Sequence, residues 1–229
     1  MRKPFYLFLF ATTLLLNSCR QNQANETTIY FNDFEINNAF IEDGIDTSFI
    51  IYHNSTEHFF DFNGSKNLGR FERGGITLNL QGAIEHQFVR VKFDLYIHDK
   101  WEGDGLRGNN EDVFILNIDD SNIFFSSIIN TKCLTTDCQS RQSFPNRVGE
   151  GFNPENANVF DPNLPGVCHF IGEAGGSKLI RIVQLLPHSS QNLKINIGAD
   201  IKQSGFDLCL KSWSIDNLSI SVITLPGER

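Results

Sequence analysis

Apolar and polar residues alternate along much of this chain, and this period of two constrains the fold more than any other feature. Between Phe88 and Ile97 the odd positions hold Val, Phe, Leu or Ile, and between Gly75 and Leu80 the even positions are apolar. Because successive side chains of a strand point to opposite faces, each run predicts a strand with one buried face. Further runs predict strands at Thr28–Phe31, Phe49–Tyr52, Val113–Ile118, Ile123–Ile129, Leu179–Leu186, Leu193–Ile197 and Trp213–Ile223.

These runs predict an all-β fold. About nine strands separated by polar turns, with no convincing helix, are typical of two antiparallel sheets packed face to face as a β-sandwich. The 21 phenylalanines and the single methionine suit a core of aromatic and branched side chains. Residues 27–229 are long enough for one sizeable core and contain no evident linker, so we expect a single domain.

The region 131–177 interrupts the alternation. It is rich in Asn, Pro and Gly and contains Cys133, Cys138 and Cys168. A segment this long without strands is usually functional or disordered. The cysteines favour an ordered excursion over one face or edge of the sandwich, and a disordered insertion is the alternative.

Four cysteines, Cys133, Cys138, Cys168 and Cys209, remain once Cys19 is set aside. In an exported chain an even number predicts two disulfides. Of the three possible connectivities we favour Cys133–Cys138 with Cys168–Cys209. A zinc site is the alternative, but the sequence has neither a CxxC pair nor a nearby histidine pair to support it.

The N-terminus has the layout of an export signal. Arg2 and Lys3 precede an apolar stretch that is shorter than the roughly 20 residues of a membrane-spanning helix. The stretch ends in Leu16-Asn17-Ser18-Cys19, which resembles the lipobox of bacterial lipoproteins. The resemblance implies that residues 1–18 are a signal peptide, that Cys19 carries the lipid and that residues 19–26 are a tether. An ordinary signal peptide is the alternative.

The lipobox resemblance also implies a location. A lipid-anchored protein of the cell envelope is expected, held in the membrane by its acyl chains. In many Gram-negative bacteria an Asp after the lipidated Cys retains a lipoprotein at the inner membrane. Because residue 20 is Arg, the outer membrane is favoured.

The charge balance excludes one class of partner. Residues 1–18 hold two of the 19 basic residues and none of the 27 acidic ones, so the remainder has a net charge of −10. Nucleic acid binding needs clustered Lys and Arg, so nucleic acid is not an expected partner. A surface rich in carboxylates suits calcium, which prefers oxygen ligands.

Two short motifs at opposite ends of the domain carry a second resemblance. Phe31-Asn32-Asp33-Phe34-Glu35 and Trp213-Ser214-Ile215-Asp216-Asn217-Leu218-Ser219-Ile220 resemble the opening and closing strands of extracellular jelly-roll domains. Such domains include calcium-containing carbohydrate-binding modules, MAM-type adhesion domains and concanavalin A-like lectins. The resemblance implies neighbouring first and last strands and a structural calcium held by Glu35 and Asp216, with Asp33 a third candidate ligand.

The closing strand also predicts a local irregularity. Trp213, Ile215, Leu218 and Ile220 can all face inward only if the alternation shifts near Asp216 and Asn217. Such a shift predicts a β-bulge that would aim Asp216 at a local partner. A calcium ion and a backbone amide would both serve as that partner.

The most charged loop, from Asp99 to Gly105, is a candidate ligand site. Glu102 and Asp104 offer carboxylates for calcium, and Trp101 could stack on a sugar ring. The spacing does not match an EF-hand. The alternative is a solvated loop in which Trp101 packs against the rim of the sandwich.

The sequence contains no recognised catalytic signature. GxSxG, HExxH and GxxxxGK[ST] are absent, as is the ExDxxE of lectin-like glycosidases. We therefore predict a non-catalytic binding module for glycan or another extracellular polymer. A structural or adhesive protein that binds another envelope protein is the second hypothesis, and a polysaccharide-cleaving enzyme, whose two carboxylates could lie on different strands, is the third.

Overall fold

The structure, a computed structural model, describes residues 23–35, 40–41, 46–53, 59–103, 111–119, 121–131, 141–203 and 205–226. Residues 40–41 and 46–53 are described by their backbone alone. Within these ranges, no helix has the length and the apolar character needed to cross a bilayer.

Strands account for the regular structure in the described part of the chain. Every run of alternation identified in the sequence overlaps one of them, and the run Ile123–Ile129 extends two residues past the end of its strand. The strands are β1 (Asn25–Asn32), β2 (Phe40–Ile41), β3 (Asp46–His53), β4 (Phe59–Phe62), β5 (Ser65–Phe71), β6 (Gly74–Gln81), β7 (Phe88–Asp99), β8 (Val113–Ile118), β9 (Ser121–Ser127), β10 (Arg141–Gln142), β11 (Asn153–Pro154), β12 (Asp161–Pro165), β13 (Ala174–Pro187), β14 (Leu193–Asp200) and β15 (Lys211–Thr224).

The strands form two large antiparallel sheets. In the eight-stranded sheet the order is β12-β13-β7-β15-β1-β2, and the β4–β5 hairpin joins it through β5, which pairs with β15. The five-stranded sheet has the order β3-β6-β14-β8-β9, and β10 and β11 form a separate pair. β1 and β15 are neighbours, as the resemblance to jelly-roll domains implied.

The inner faces of the two sheets share one apolar core. Phe93 of β7 lies 6.1 Å, between ring centroids, from Phe114 of β8 in the opposite sheet. Phe114 also makes an edge contact with Trp213 of β15 at 5.2 Å. The predicted all-β, two-sheet sandwich is therefore confirmed, and burial of these faces is its main stabilising term.

The predicted irregularity in the closing strand is present. The register of β15 against β7 shifts between Asp216 and Ser219, and Asn217 takes a positive φ of 54°. Because of this bulge, Trp213 and Ile215 before it and Leu218 and Ile220 after it are all fully buried.

The part of the excursion that the structure describes, residues 141–177, is ordered against the sandwich. Phe144 is buried and packs on Phe124 of β9, with ring centroids 5.8 Å apart. The Cys168–Cys209 disulfide, one of the two predicted, joins the excursion to the segment before β15. Cys133 and Cys138 lie outside the described residues.

Candidate functional site

A row of polar side chains crosses the outer face of the five-stranded sheet. In the strand register Asn196 of β14 lies opposite Thr77 of β6 on one side and Asn117 of β8 on the other. The Thr77 hydroxyl donates to Asn196 Oδ1 at 2.7 Å. This bond fixes the orientation of the Asn196 amide, so the row presents a defined set of hydrogen-bonding groups.

Two glycines lie opposite one another, two residues away from this row along the same strands. Gly198 of β14 pairs with Gly75 of β6. A Cβ at Gly75 would lie 1.9 Å from the Ile197 carbonyl oxygen, and one at Gly198 would lie 2.9 Å from the Gly74 carbonyl oxygen. The close approach of the two backbones therefore requires glycine at both positions.

The glycine pair leaves a hollow beside the polar row. Its volume is about 310 Å³. No charged side chain of the described residues lines it. The lining consists of Gly74, Gly75, Ile76, Thr77, Ile115, Asn117, Asn196, Ile197, Gly198 and Ala199.

The chemistry of this hollow suits a neutral, hydroxyl-bearing ligand. Amides and hydroxyls offer both donors and acceptors, as sugar hydroxyls do. Ile115 is half-buried beside them and adds apolar contact area for the C–H face of a sugar ring.

Sequence reasoning had placed no ligand in this hollow. Thr77, Asn117 and Asn196 occupy the polar positions of strands whose apolar positions had been recognised. The alternation therefore contained the signal that these side chains face outward. That β6, β14 and β8 are adjacent depends on the topology, which local patterns do not encode.

A second cluster lies where β1, β5 and β15 meet on the outer side of the eight-stranded sheet. The Ser65 hydroxyl oxygen lies 2.8 Å from Glu35 Oε1 and 2.6 Å from Asp216 Oδ2. The structure thus brings together the two carboxylates implied as calcium ligands. Asp33 Oδ1 instead accepts the Glu35 N–H at 3.3 Å, within its own turn.

The cluster has one proton too few for its contacts. A serine hydroxyl donates a single hydrogen, while ionised carboxylates only accept. Glu35 Oε1 also accepts the Lys66 N–H at 2.8 Å, and Asp216 Oδ1 accepts the Asn217 N–H at 2.7 Å. One of the two Ser65 contacts therefore lacks a hydrogen unless Asp216 is protonated or a cation lies among the three oxygens.

The two carboxyl groups respond in opposite ways to this setting. Burial raises the pKa of Asp216 above its ordinary value, and the charges of Asp94 and Glu35 raise it further against the bonds from Ser65 and Asn217. The hydrogen bond from the Lys66 backbone, followed by that from Ser65, lowers the pKa of Glu35. Asp216 is therefore the group that gains most from a proton or a cation.

The donor atoms of this cluster fit a hard cation. Ser65 Oγ lies within 2.8 Å of one carboxylate oxygen of Glu35 and one of Asp216. Calcium prefers oxygen ligands of these kinds. Among the described residues, however, no three His, Cys, Asp or Glu side chains converge as a metal site would need. The cluster would therefore supply only part of a calcium shell, and water or backbone oxygens would supply the rest.

Ser65 was missed at the sequence level although a signal preceded it. Asn63 and Gly64 have positive φ values of 54° and 82° and connect β4 to β5. An Asn-Gly pair between two short runs is a strong hairpin signal. Because this hairpin docks against β15, Ser65 reaches Asp216.

The charged loop after β7 differs from the sugar-binding site that was considered for it. Trp101 is fully buried, and its Nε1 donates to the Ser212 carbonyl oxygen at 2.9 Å. The expectation that Trp101 stacks on a sugar is therefore wrong, because the ring is not at the surface. Glu102 forms an ion pair with the buried Lys211 at 2.9 Å, and Asp104 lies outside the described residues.

Asn25 and Glu26, which the sequence assigned to the tether, belong instead to β1 and pair with β15. The predicted lipidation site Cys19, the predicted signal segment and the first half of the predicted tether, residues 19–22, lie outside the described residues. Their assignment rests on the sequence.

Comparisons with known proteins give no assignment. No protein-family model matches the chain, and no curated protein matches it significantly. Among solved structures, the chain is similar to the CBM22-1–GH10 modules of Clostridium thermocellum xylanase 10B complexed with xylohexaose, at 10% identity and a TM-score of 0.33. That match covers 88% of this chain and 29% of the xylanase chain.

The chain is also similar to the basic winged bean lectin with Tn-antigen. The identity is 13%, the TM-score is 0.32, and the match covers 89% of this chain and all of the lectin chain. Resemblances this weak do not bear on function.

Proposed function

We propose that this protein is a lipid-anchored module of the cell envelope that binds a neutral glycan, without catalysis, in the hollow of the five-stranded sheet. The observation that carries the proposal is the uncharged polar row of Thr77, Asn117 and Asn196 beside the Gly75–Gly198 pair. The hollow of about 310 Å³ is large enough for about one sugar ring.

The absence of charge in the lining supports a neutral ligand. An anionic polymer would need Lys or Arg beside its carboxylates or sulfates, and none of the described residues that line the hollow is basic. The lining also supports binding without catalysis. Glycoside hydrolysis normally requires two carboxyl groups flanking the bond, and the described lining contains no Asp or Glu.

The lipid anchor belongs to the proposal on the strength of Leu16-Asn17-Ser18-Cys19. Acyl chains on Cys19 would hold the module at a membrane surface, with the outer membrane favoured by Arg20. Fractionation of a Cys19→Ala variant tests this part of the proposal. Recovery of the variant in the membrane fraction would contradict the proposed lipid anchor and would leave the proposed glycan site in the hollow unaffected.

A screen of the full-length protein against neutral and acidic glycans tests the binding role. We expect retention of a related set of neutral glycans. In the Asn117→Ala/Asn196→Ala double variant the affinity should fall about tenfold or more, because each lost hydrogen bond contributes about 0.5–1.5 kcal/mol.

The matched control for this screen is Asn79→Ala. Asn79 lies on the same sheet, opposite Lys194, but does not line the hollow. The Asn79→Ala variant should bind the glycans with the affinity of the unaltered protein. A folded protein that binds no glycan, or a double variant that binds with full affinity, would contradict the proposal.

We also propose that calcium occupies the cluster of Glu35, Ser65 and Asp216. The missing proton at Ser65 and the raised pKa of Asp216 support a cation there. Its role would be structural, because it would join β5 and β15 to the turn after β1.

Replacing Asp216 by asparagine should abolish the response to calcium. At neutral pH, calcium should raise the Tm of the native protein by several degrees relative to excess EDTA, by mass action. In Asp216→Asn the Nδ2 donates to Ser65 Oγ and the hydroxyl donates to Glu35, so the cluster is satisfied without a cation. The Tm of this variant in EDTA should equal or exceed that of the native protein, as differential scanning calorimetry would show.

The difference in Tm between Asp216→Asn and the native protein in EDTA should depend on pH in a defined direction. Because the folded-state pKa of Asp216 is raised, the ionised carboxylate disfavours the folded state above this pKa, and protonation relieves the cost. In EDTA the advantage of Asp216→Asn should therefore shrink as the pH falls through the pKa of Asp216. Asp33→Asn is the control and should keep the calcium response. Equal Tm values with calcium and with EDTA in the native protein would rule out the site.

A further inference from the structure

One edge of the eight-stranded sheet is open. β13 pairs with β7 from Ser177 to Pro187. On its other side β12 reaches only as far as Leu179, which pairs with Asp161. In the part of the chain that the structure describes, no strand pairs with this edge of residues 181–187.

The backbone of this edge presents a regular set of hydrogen-bonding groups. The Leu179 carbonyl accepts the Phe160 N–H at 2.9 Å and so points toward the β12 side. The register of β13 against β7 has no shift. Because the direction alternates along an antiparallel strand, the N–H and C=O groups of Arg181, Val183 and Leu185 face the open side.

The side chains at this edge do not protect it. Exposed edges are usually blocked by charges, proline or a covering loop. Here the side chains of Val183 and Leu185 are 56% and 53% exposed. Among the residues that the structure describes, only Arg181 and the terminal Pro187 could block this edge, which leaves residues 182–186 open to a further strand.

A groove of about 450 Å³ runs beside the open edge. Its floor is apolar because Phe124, Phe144 and Ile182 contribute to it. Phe160 forms part of its wall and is held by the Arg181 guanidinium, which lies 3.4 Å from the ring centroid. A strand added to β13 would direct alternate side chains into this groove and the others outward.

The positive charges beside the edge favour acidic side chains on the outward face of a strand added to β13. Arg181 is the only charged residue among those described that line the groove. On the adjacent β7, Lys92 and Arg90 lie opposite Val183 and Leu185. Glu26 pairs with Arg90 and Lys92, and Asp94 pairs with Arg181, so these three cations face two carboxylates and leave one positive charge in excess.

We propose that the open edge of β13 binds an extended segment of a partner protein by strand addition, with apolar residues in the groove alternating with acidic residues beside Arg181. Main-chain hydrogen bonds would supply affinity, and the groove and the cations would supply specificity. This surface is separate from the hollow, which lies on the other sheet.

A partner segment fits this edge better than a second copy does. Antiparallel self-pairing centred on Val183 would place Arg181 opposite Leu185 of the other copy. The guanidinium would then gain no acidic neighbour, and two acidic chains would be brought together. A strand in which acidic and apolar residues alternate would pair with the cations and fill the apolar groove.

The test is a calorimetric titration of the full-length protein with the heptapeptide Glu-Val-Glu-Val-Glu-Val-Glu and with its Lys-Val counterpart. We expect the acidic peptide to bind and the basic peptide to bind at least tenfold more weakly. Val183→Pro should weaken binding of the acidic peptide at least tenfold. The proline removes the N–H that faces the open side and leaves the ladder to β7 intact. Val183→Thr retains that N–H and should bind as the unaltered protein does.

A second variant keeps the test decisive if the proline disturbs folding. Arg181→Glu should reverse the preference, so that the basic peptide binds better than the acidic one. Failure of both peptides to bind the native protein would overturn the proposal, as would a folded Val183→Pro variant with unchanged affinity. A dimer in sedimentation that Val183→Pro converts to monomer would also overturn it and assign the edge to a second copy.

Discussion

Replacing Asp112 by alanine should lower the free energy of unfolding by about 3–5 kcal/mol, since this change leaves a buried cation without its main partner. Lys211 is 1% exposed, and its Nζ donates to Asp112 Oδ2 and Glu102 Oε2, both at 2.9 Å. The Asp112 carboxylate also accepts the backbone N–H groups of Glu102 and Lys202. One side chain therefore ties the loop after β7 and the segment after β14 to the start of β15.

Urea unfolding followed by tryptophan fluorescence would measure this loss. The chain has two tryptophans, Trp101 and Trp213, and both are fully buried, so both report on unfolding. The control is Asp200→Ala, which removes an exposed Asp–Lys pair and should change stability by no more than about 0.5 kcal/mol. Adding Lys211→Met to Asp112→Ala should recover part of the loss, because no buried unpaired charge remains and Glu102, which also loses its contact with Lys211, is partly exposed. A loss below about 1 kcal/mol in Asp112→Ala would contradict the role assigned to this pair.

Removing the Cys168–Cys209 disulfide should destabilise the protein by about 4 kcal/mol in the chain-entropy model. The bridge spans a sequence separation of 41 residues, and its loss enlarges the conformational freedom of the unfolded chain. For a domain of this size the change corresponds to a fall in Tm of about 8–16 °C. Calorimetry of the Cys168→Ser/Cys209→Ser double variant would measure it.

The structure around the bridge gives that experiment a control. The Asp99 carboxylate accepts the N–H groups of Cys168 and Phe170 and so holds the same loop from the β7 side. Under the same reducing conditions, the native protein and the double variant should therefore be equally stable, because Asp99 acts in both. A double variant as stable as the oxidised native protein would mean that the bridge adds nothing to these bonds.

Nine of the strands were predicted because the alternation of apolar and polar residues within a strand indicates which of its faces is buried. Val89 to Ile97 and Ile76 to Leu80 alternate on the scale of a few residues, and the same positions are buried in the structure. The bulge at Asp216 was equally local, because a shift in alternation is visible within one strand. The short strand β2, the β4–β5 hairpin and the short strands β10, β11 and β12 of the excursion were not predicted.

The candidate sites could be predicted only in part, because they join residues that are distant in the chain. Trp101 is buried and donates a hydrogen bond to the Ser212 carbonyl oxygen, 111 residues away in sequence. The charged residues next to it in the sequence had suggested a solvent-exposed loop. Glu35 and Asp216 were linked through a resemblance, whereas Ser65 between them depends on the docking of the β4–β5 hairpin. The hollow and the open edge of β13 follow from strand order, which no local pattern specifies.

The most direct test of the binding role is an NMR titration of the full-length protein with the best neutral glycan from the screen. We expect the backbone signals of Gly75, Thr77 and Gly198 and the side-chain amide signals of Asn117 and Asn196 to shift together with one saturation curve. The signals of Val183 and Leu185 should not move. Shifts confined to any other surface, or no shifts at saturating glycan, would contradict the assignment of the hollow as the glycan site.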